Sequence, residues 1–303
     1  MRRTAPLLPA LAAALLLTAC GSERPGAHDA GVGAGGATPQ TAVSGPAVDG
    51  VRITSVTIPS ASPAASGVSA AYEVTNSGAE ELTYTVIFDF TASGGGAVTH
   101  QKVTVGPVGP GRTTRGTVRA GSLPPGAPSV TGVKVAEVTA VPVAEAPAAP
   151  GVCPPSGIRV TADDGDAAMG LRVVGLTLEN CGERDRTVRG YPQVTLLDED
   201  RQPVDGVRIL RGSGGIATVT GFDDAPRTLT LRPGERASAG LMWRNTTGFG
   251  TAVDIPYVRV RATPGAAPVL ITPHLDLGTT GRLGVSAWRA AAQQQGAHGA
   301  GAP

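Results

Sequence analysis

Charged and aromatic residues are both scarce in this chain. Only 16% of its 303 residues are charged, the net charge is +1 at pH 7, and lysine occurs only at Lys102 and Lys134. A chain so close to neutral has no strong field to attract nucleic acid or a charged membrane, so we expect no nucleic-acid partner. Aromatic residues make up 3%, so the core must be built from Val, Leu, Ile and Ala.

The residue patterns of known catalytic and metal sites are also lacking. No Gly-x-Ser-x-Gly elbow occurs, and residues 212–215 are glycine-rich without the Gly-Lys-Ser/Thr of a phosphate loop. His28 and His298 lie near the termini, and neither His100 nor His274 has a second histidine two or four residues away. We therefore expect no catalytic residue, metal ligand or cofactor, and we interpret residues 212–215 as a mobile surface loop.

The longest apolar run lies at the N-terminus. It follows Met1-Arg2-Arg3 and spans residues 7–17, about 11 residues, which suits a secretory signal of ~7–15. A membrane-spanning helix needs roughly 20. We predict a signal peptide over residues 1–19, with an uncleaved anchor or an ordinary buried helix as the alternative.

The signal ends in Leu17-Thr18-Ala19-Cys20, which resembles the lipobox of bacterial lipoproteins. The resemblance implies that Cys20 becomes the mature N-terminus and carries a diacylglyceryl group. One acyl chain binds membranes only marginally, whereas two anchor stably. We therefore expect a lipid-anchored protein on the extracytoplasmic face of the cell membrane.

Two further cysteines remain, Cys153 and Cys181. In an oxidising compartment a disulfide between them is the default. The alternatives are two separate thiols or a metal site, and the metal site is less favoured because no histidine lies nearby.

Beyond the signal, composition divides the chain into five segments. Residues 20–49 are rich in Gly, Ala, Pro, Thr and Ser without an apolar period, which predicts a disordered tether. Residues 143–150 are rich in Pro and Ala and predict a semi-rigid linker. Residues 289–303 predict a disordered tail. Residues 50–142 and 151–288 carry strand patterns and are the two predicted domains.

Alternation of apolar and polar residues predicts strands in both domains. In the clearest case, residues 82–91, only Ile87 breaks the period of two. Further strands are predicted at residues 51–58, 98–105, 113–120, 133–140, 171–180, 193–197, 207–210, 218–222, 237–243 and 257–262. Short strands separated by turn signals are typical of sandwiches. The predicted fold is all-β, with two tandem immunoglobulin-like β-sandwich domains.

Three motifs of the second domain occur in a specific order. They are Asn180-Cys181 at a strand end, the block Gly190-Tyr191-Pro192, and Leu231-Arg232-Pro233-Gly234 before another strand. With Cys153 they make this domain resemble domain of unknown function 4232, common in actinobacterial lipoproteins. The resemblance implies a β-sandwich with a Cys153–Cys181 bridge and transfers no activity. Many members carry a later cysteine pair, which this chain lacks.

The block Gly190-Tyr191-Pro192 is interpreted as a structural corner. Gly190 permits a sharp turn, Tyr191 offers a buried ring with a polar tip, and Pro192 ends strand pairing. The alternative is that Tyr191 contacts a ligand.

Three acidic clusters are the remaining candidates for chemistry. Asp163-Asp164-Gly165-Asp166 offers oxygen atoms to calcium, but its spacing departs from that of an EF-hand loop. Asp and Gly commonly build turns. We therefore interpret this cluster, Asp198-Glu199-Asp200 and Asp223-Asp224 as solvated turns.

Two classes of function remain after these exclusions. We expect a lipoprotein with a non-catalytic binding or structural role in the envelope, and an envelope protein or a glycan as its partner. The alternative is an envelope enzyme or accessory subunit with an unrecognised carboxylate site. A pocket that joins Asp163, Asp198 or His274 with other polar groups would favour that alternative.

Overall fold

The protein is all-β, which confirms the predicted fold class. The computed structural model describes residues 40–42, 46–59, 67–123 and 125–291, with only the backbone described at residues 40–42. The strands form two tandem sandwiches. The predicted signal peptide, Cys20, most of the predicted tether and the last twelve residues lie outside the described part of the chain.

The described residues of the N-terminal sandwich form seven strands. They are β1 (Gln40–Ala42), β2 (Val51–Thr57), β3 (Ser69–Thr75), β4 (Leu82–Thr91), β5 (Ala97–Val108), β6 (Thr113–Arg119) and β7 (Gly132–Pro142). One antiparallel sheet has the order β1-β2-β3-β6 and the other the order β5-β4-β7. Their facing side chains form one apolar core.

Strand β4 supplies the centre of that core. Val86, Phe88 and Phe90 are fully buried, and the Phe88 ring lies 4.9 Å from the ring of Tyr72 on β3. The out-of-pattern residue Ile87 coincides with a shift in the register of β4 against β7. Strand β3 was not predicted, because two of its first three residues are alanines, which give little β signal.

The C-terminal sandwich contains fourteen short strands. They are β8 (Ile158–Ala162), β9 (Asp166–Ala168), β10 (Leu171–Asn180), β11 (Arg186–Arg189), β12 (Gln193–Leu197), β13 (Arg208–Arg211), β14 (Thr228–Leu231), β15 (Arg236–Arg244), β16 (Asp254–Ile255), β17 (Tyr257–Arg261), β18 (Pro268–Ile271), β19 (Leu275–Asp276), β20 (Arg282–Val285) and β21 (Arg289–Ala290).

These strands form one large sheet and several smaller ones. The large sheet has the order β13-β20-β15-β10-β8, with β21 and β9 attached, and its β13–β20 pair is parallel. A second sheet has the order β12-β17-β18, and β11-β14 and β16-β19 form two-stranded ribbons. Both tryptophans of the chain lie in the core between them, and Trp288 Nε1 donates to the Ala262 carbonyl at 2.8 Å.

Two short strands lie within segments that were predicted to be disordered. Gln40–Ala42, within the predicted tether, pairs with β2, and Arg289–Ala290, within the predicted tail, pairs with β15. Strand edges of the folded domains supply backbone partners to these residues. Composition alone does not reveal such partners.

The segment that follows β13 also differs from the predictions. Residues 218–222 form a turn instead of a strand, with the Phe222 N–H donating to the Val219 carbonyl at 3.1 Å. Residues 212–215 are anchored, because the buried Ser213 donates to Asp223 from its N–H at 2.6 Å and its hydroxyl at 2.8 Å. These bonds hold the pKa of Asp223 below its ordinary value. Asp223 therefore fixes a loop that was predicted to be mobile.

A buried asparagine joins two turns in each sandwich. Asn76 Nδ2 donates to the carbonyls of Glu80 and Val108, both at 2.7 Å, and its Oδ1 accepts from the Gly78 N–H at 2.9 Å. The Gly111 N–H donates to the Asn76 carbonyl at 2.8 Å. All polar atoms of this fully buried amide are satisfied, as burial requires.

Asn180 occupies the same place in the C-terminal sandwich. Its Nδ2 donates to the carbonyls of Arg184 and Leu231, both at 2.8 Å, and its Oδ1 accepts from the Gly182 N–H at 3.2 Å. The Gly234 N–H donates to the Asn180 carbonyl at 2.7 Å. The two sandwiches therefore share one local plan, in which Asn-x-Gly is tied to a later Pro-Gly turn.

The two sandwiches meet in a mixed apolar and charged interface. Its centre consists of Val141 from β7, Leu197 from β12 and Leu270 from β18, all buried. Among the described residues, three pairs of charged or ionisable side chains connect the sandwiches: Lys102–Asp164 at 2.8 Å, Arg201–Glu80 at 3.2 Å and His274–Glu137 at 2.8 Å. A further pair, Arg259–Glu145 at 2.7 Å, connects the C-terminal sandwich to the predicted linker. Apolar burial supplies most of the stabilisation, since exposed ion pairs contribute about 0–1 kcal/mol each.

The predicted linker is part of this interface. Its first residues form a 3₁₀ turn, Val143–Glu145, whose Val143 N–H donates to the Glu81 carbonyl at 3.1 Å. Glu145 pairs with Arg259, and Ala146 packs against the apolar centre. The segment is therefore docked on both sandwiches and does not act as a free spacer.

The neighbours Leu196 and Leu197 allow a matched test of the interface. Leu196 faces the core of the C-terminal sandwich, whereas Leu197 faces the interface. Each change to alanine should cost about 2–5 kcal/mol. By scanning calorimetry we expect Leu197→Ala to split unfolding into two transitions and Leu196→Ala to keep one. A single transition for both variants would contradict a coupling role of Leu197.

Candidate functional site

The C-terminal sandwich carries an acidic cleft beside the interface. The cleft has a volume of about 500 Å³ and is lined by Asp198, Glu199, Asp200, Asp254, Ile255, Pro256, His274 and Asp276. Five of these eight side chains are carboxylates. The structure therefore brings together one predicted acidic cluster and one histidine that the sequence leaves unconnected.

One wall of the cleft is the turn that follows β12. The Asp198 carbonyl accepts from the Arg201 N–H at 3.0 Å, and Asp198 Oδ1 accepts from the Gln202 N–H at 2.8 Å. These bonds are those of a tight turn, as predicted for this cluster. The turn leaves the Glu199 and Asp200 side chains exposed at the mouth of the cleft.

The opposite wall holds two carboxylates on paired strands. Asp254 of β16 and Asp276 of β19 lie directly opposite each other, an arrangement that destabilises a sheet unless the charges are compensated. Asp276 is compensated, because Trp243 Nε1 donates to it at 2.7 Å and Asn245 Nδ2 at 3.0 Å. Arg172 lies 3.5 Å from it. Asp254 is exposed and free of ion pairs among the described residues.

His274 connects the cleft to the N-terminal sandwich. Its Nε2 lies 2.8 Å from Glu137 Oε1, and its backbone φ of +47° is in the left-handed region. Arg201, which pairs with Glu80, has a φ of +60°. Non-glycine residues in this region cost free energy and persist where surrounding contacts hold them. Both strained residues of the cleft region therefore serve contacts between the sandwiches.

The cleft suits binding of a cationic group. Several carboxylates close together attract a positive charge, most strongly in a concave surface. In the described part of the chain, no group of three or more His, Cys, Asp or Glu side chains is placed to hold a metal ion.

The cluster Asp163-Asp164-Gly165-Asp166 lies away from the cleft and forms the turn between β8 and β9. Asp163 Oδ1 accepts from the Gly165 N–H at 3.0 Å and the Gly175 N–H at 2.8 Å. Lys102 holds the pKa of Asp164 below its ordinary value through a hydrogen bond and its charge. These carboxylates are thus engaged in a turn and in the interface.

The block Gly190-Tyr191-Pro192 forms the corner that leads into β12. Gly190 has a φ of +86°, and its carbonyl accepts from the Trp288 N–H at 2.9 Å. The Tyr191 ring is half-buried, and the Arg211 guanidinium lies 5.6 Å from its centroid. The ring is therefore less buried than predicted, and a surface arginine lies over it.

The predicted bridge between Cys153 and Cys181 is confirmed. Their Cα atoms lie 5.6 Å apart across a sequence separation of 28 residues. The bridge ties the segment before β8 to the end of β10, next to Asn180. Cys20 and its lipidation lie outside the described residues.

Sequence reasoning missed Asp254, Asp276 and the role of Asn76. Asp254 and Asp276 are 22 residues apart, and only the pairing of β16 with β19 joins them. The asparagines left a detectable signal: Asn76-Ser77-Gly78 with Pro110-Gly111 and Asn180-Cys181-Gly182 with Pro233-Gly234 repeat one pattern. Comparing the two halves of the sequence would have found it.

The fold and the bridge define a protein of two all-β sandwiches with one disulfide in the second. Residues 153–289 match the family model described as Domain of unknown function (DUF4232). This match confirms the family resemblance of the C-terminal sandwich. No curated protein is significantly similar to the chain. Among the described residues, no helix is both long and apolar enough to cross a membrane.

Removal of the Cys153–Cys181 bridge should destabilise the C-terminal sandwich. Closing a loop of 28 residues contributes about 3.5 kcal/mol in the chain-entropy account. We expect the double variant Cys153→Ser/Cys181→Ser to lose about that free energy of unfolding in urea. Mass spectrometry without reductant should show the linked peptides in the parent protein. Free thiols at both positions would contradict the bridge.

Proposed function

We propose that this protein is a lipoprotein of the actinobacterial envelope with a non-catalytic binding role. Residues 1–19 direct export, and lipid on Cys20 anchors the chain to the extracytoplasmic face of the cell membrane. Support comes from the lipobox-like Leu17-Thr18-Ala19-Cys20 and from a disulfide-bonded domain, which suits an oxidising compartment.

The observation that carries the binding role is the interface between the sandwiches. An apolar centre surrounded by ion pairs holds the two domains together, and the docked linker reinforces the contact. Two domains joined by such contacts present a preformed surface, which lowers the entropy cost of binding. The acidic cleft lies on this surface, next to the interface.

The proposed partner is an envelope protein or a glycan that presents a cationic group to the cleft. Glu199, Asp200 and Asp254 are exposed there, so they are available to a partner. Charge complementarity of this kind increases association rates and selects partners.

A second candidate function is an envelope enzyme or accessory subunit with a carboxylate site. It is favoured by the joining of Asp198 and His274 in one cleft with Asp254. Paired carboxylates can act as general acid and base on glycosidic bonds. Turnover of isolated cell-wall glycan that is abolished by Asp254→Asn would support this candidate over the binding role.

The anchor is tested by the substitution Cys20→Ala. We expect the substituted protein to leave the membrane fraction, because no acyl chain is attached. The matched control is Cys153→Ser/Cys181→Ser, which removes two cysteines and keeps the lipid. Immunoblots of fractionated cells measure both. If the Cys20→Ala protein stays membrane-bound with its signal uncleaved, the lipoprotein proposal is wrong.

The cleft is tested by cross-linking on intact cells with the anchored protein. We expect Glu199→Gln/Asp254→Asn to reduce recovery of the cross-linked partner at least roughly threefold, because exposed charges contribute modestly but add to one another. The control Glu183→Gln/Asp224→Asn removes the same charge from exposed positions outside the cleft. Equal recovery with both double variants would contradict a role of the cleft.

A further inference from the structure

A second cavity lies beside the docked linker. It has a volume of about 330 Å³ and opens between the edge strands β8 and β18. We propose that this side cavity binds a medium-length acyl chain that carries a carboxylate, as in a fatty acid. The proposal does not depend on the anchor or on the partner proposed above.

The floor of the side cavity is the apolar core itself. Val160, Leu178, Val188 and Ala262 line it, and each is almost fully buried within the main core of the C-terminal sandwich. Facing strands of a sandwich usually fill such space with side chains. Here a cavity lies against the core at one edge of the sandwich, beneath the linker.

The roof of the side cavity is the docked linker. Ala144, Ala146 and Ala148 line the cavity from this segment, and their small side chains leave the space below them open. The lining contains no aromatic side chain, so it offers no ring for stacking. A flexible aliphatic chain that needs no hydrogen bonds along its length therefore suits these walls.

Two arginines line the side cavity, and they differ in whether a neighbouring carboxylate neutralises their charge. The Arg159 side chain is 15% exposed and pairs with Glu179. Burial raises the pKa of Glu179, but the hydrogen bonds and charges of Arg159 and Arg236 outweigh that effect and lower it. The charge of Arg159 is thus compensated within the protein.

Arg186 is the uncompensated charge at the cavity. Its Nη2 donates to the Ser156 carbonyl at 2.9 Å, and among the described residues it has no carboxylate partner. Its guanidinium lies against Gly157, where an added Cβ would come within 3.1 Å of Nη2. The guanidinium is therefore tied to the protein by one hydrogen bond, and its exposed N–H groups can bind an anion. A mainly aliphatic cavity with an unpaired cation in its lining matches a fatty-acid anion.

The proposal is tested by calorimetric titration of sodium decanoate into the full chain carrying Cys20→Ala, so that no attached lipid competes. We expect saturable binding, with decanoate up to about 15-fold tighter than octanoate because two more methylenes are buried. Arg186→Gln should weaken decanoate binding roughly 3- to 10-fold. Arg184→Gln, an equal loss of charge at an exposed position two residues earlier, just before β11, should leave it unchanged.

The location of the acyl chain is tested by two neighbouring substitutions in the linker. Ala148→Leu places a larger side chain in the cavity and should weaken decanoate binding at least roughly 10-fold. Ala149→Leu lies on the same segment outside the cavity lining and should have no effect. Melting temperatures close to that of the parent protein would show that both variants are folded.

Several results would overturn the proposal. They are an absence of saturable decanoate binding, equal affinity for decanoate and uncharged decanol, and equal effects of the two arginine substitutions. Displacement of bound decanoate by an acetylated tetra-alanine peptide of equal affinity would assign the cavity to a protein segment. None of these results bears on the anchor or the acidic cleft, so the two proposals fail independently.

Discussion

One buried asparagine amide in each sandwich fixes a turn on which contacts elsewhere in the protein depend. Asn76 holds the Glu80 carbonyl, while the Glu80 side chain pairs with Arg201 and the adjacent Glu81 carbonyl receives the linker. The turn fixed by Asn76 therefore provides contacts of the interface. Asn180 likewise fixes the turn containing Cys181 and Gly182, whose N–H groups donate to Gly157. Because an unsatisfied buried amide is costly, each turn has little freedom to move.

The interface combines two kinds of interaction with different roles. Burial of Val141, Leu197 and Leu270 supplies free energy without direction. The ion pairs supply direction, because a slip between the sandwiches would separate each pair. His274 and Arg201 accept left-handed backbone conformations to make such contacts. The contacts of the interface therefore offset the strain at these two positions, and they place the acidic cleft beside the interface.

Strong local patterns predicted the long strands, and weaker or non-local features escaped prediction. The strand predicted at residues 171–180 coincides with β10 because apolar and polar residues alternate clearly there. β3 was not predicted because its small residues give a weak strand signal. The cleft could not be predicted, since its walls come from residues 198–200 and from Asp254, His274 and Asp276, which only the sheet pairings join. Each acidic cluster was correctly placed in a turn, but turn chemistry does not reveal which turns meet.

The linker is the segment for which the role predicted from the sequence differs most from the role seen in the structure. Its Pro and Ala content suggests a spacer, yet those same residues suit a docked strap, because proline limits the unfolded chain and alanine packs closely. Ala146 contacts the interface centre and also lines the side cavity. A freely moving linker would leave Val160, Leu178 and Val188 open to water at the sandwich edge. The docked linker thus has two structural roles. It joins the two sandwiches, and it covers the side cavity that lies against the core.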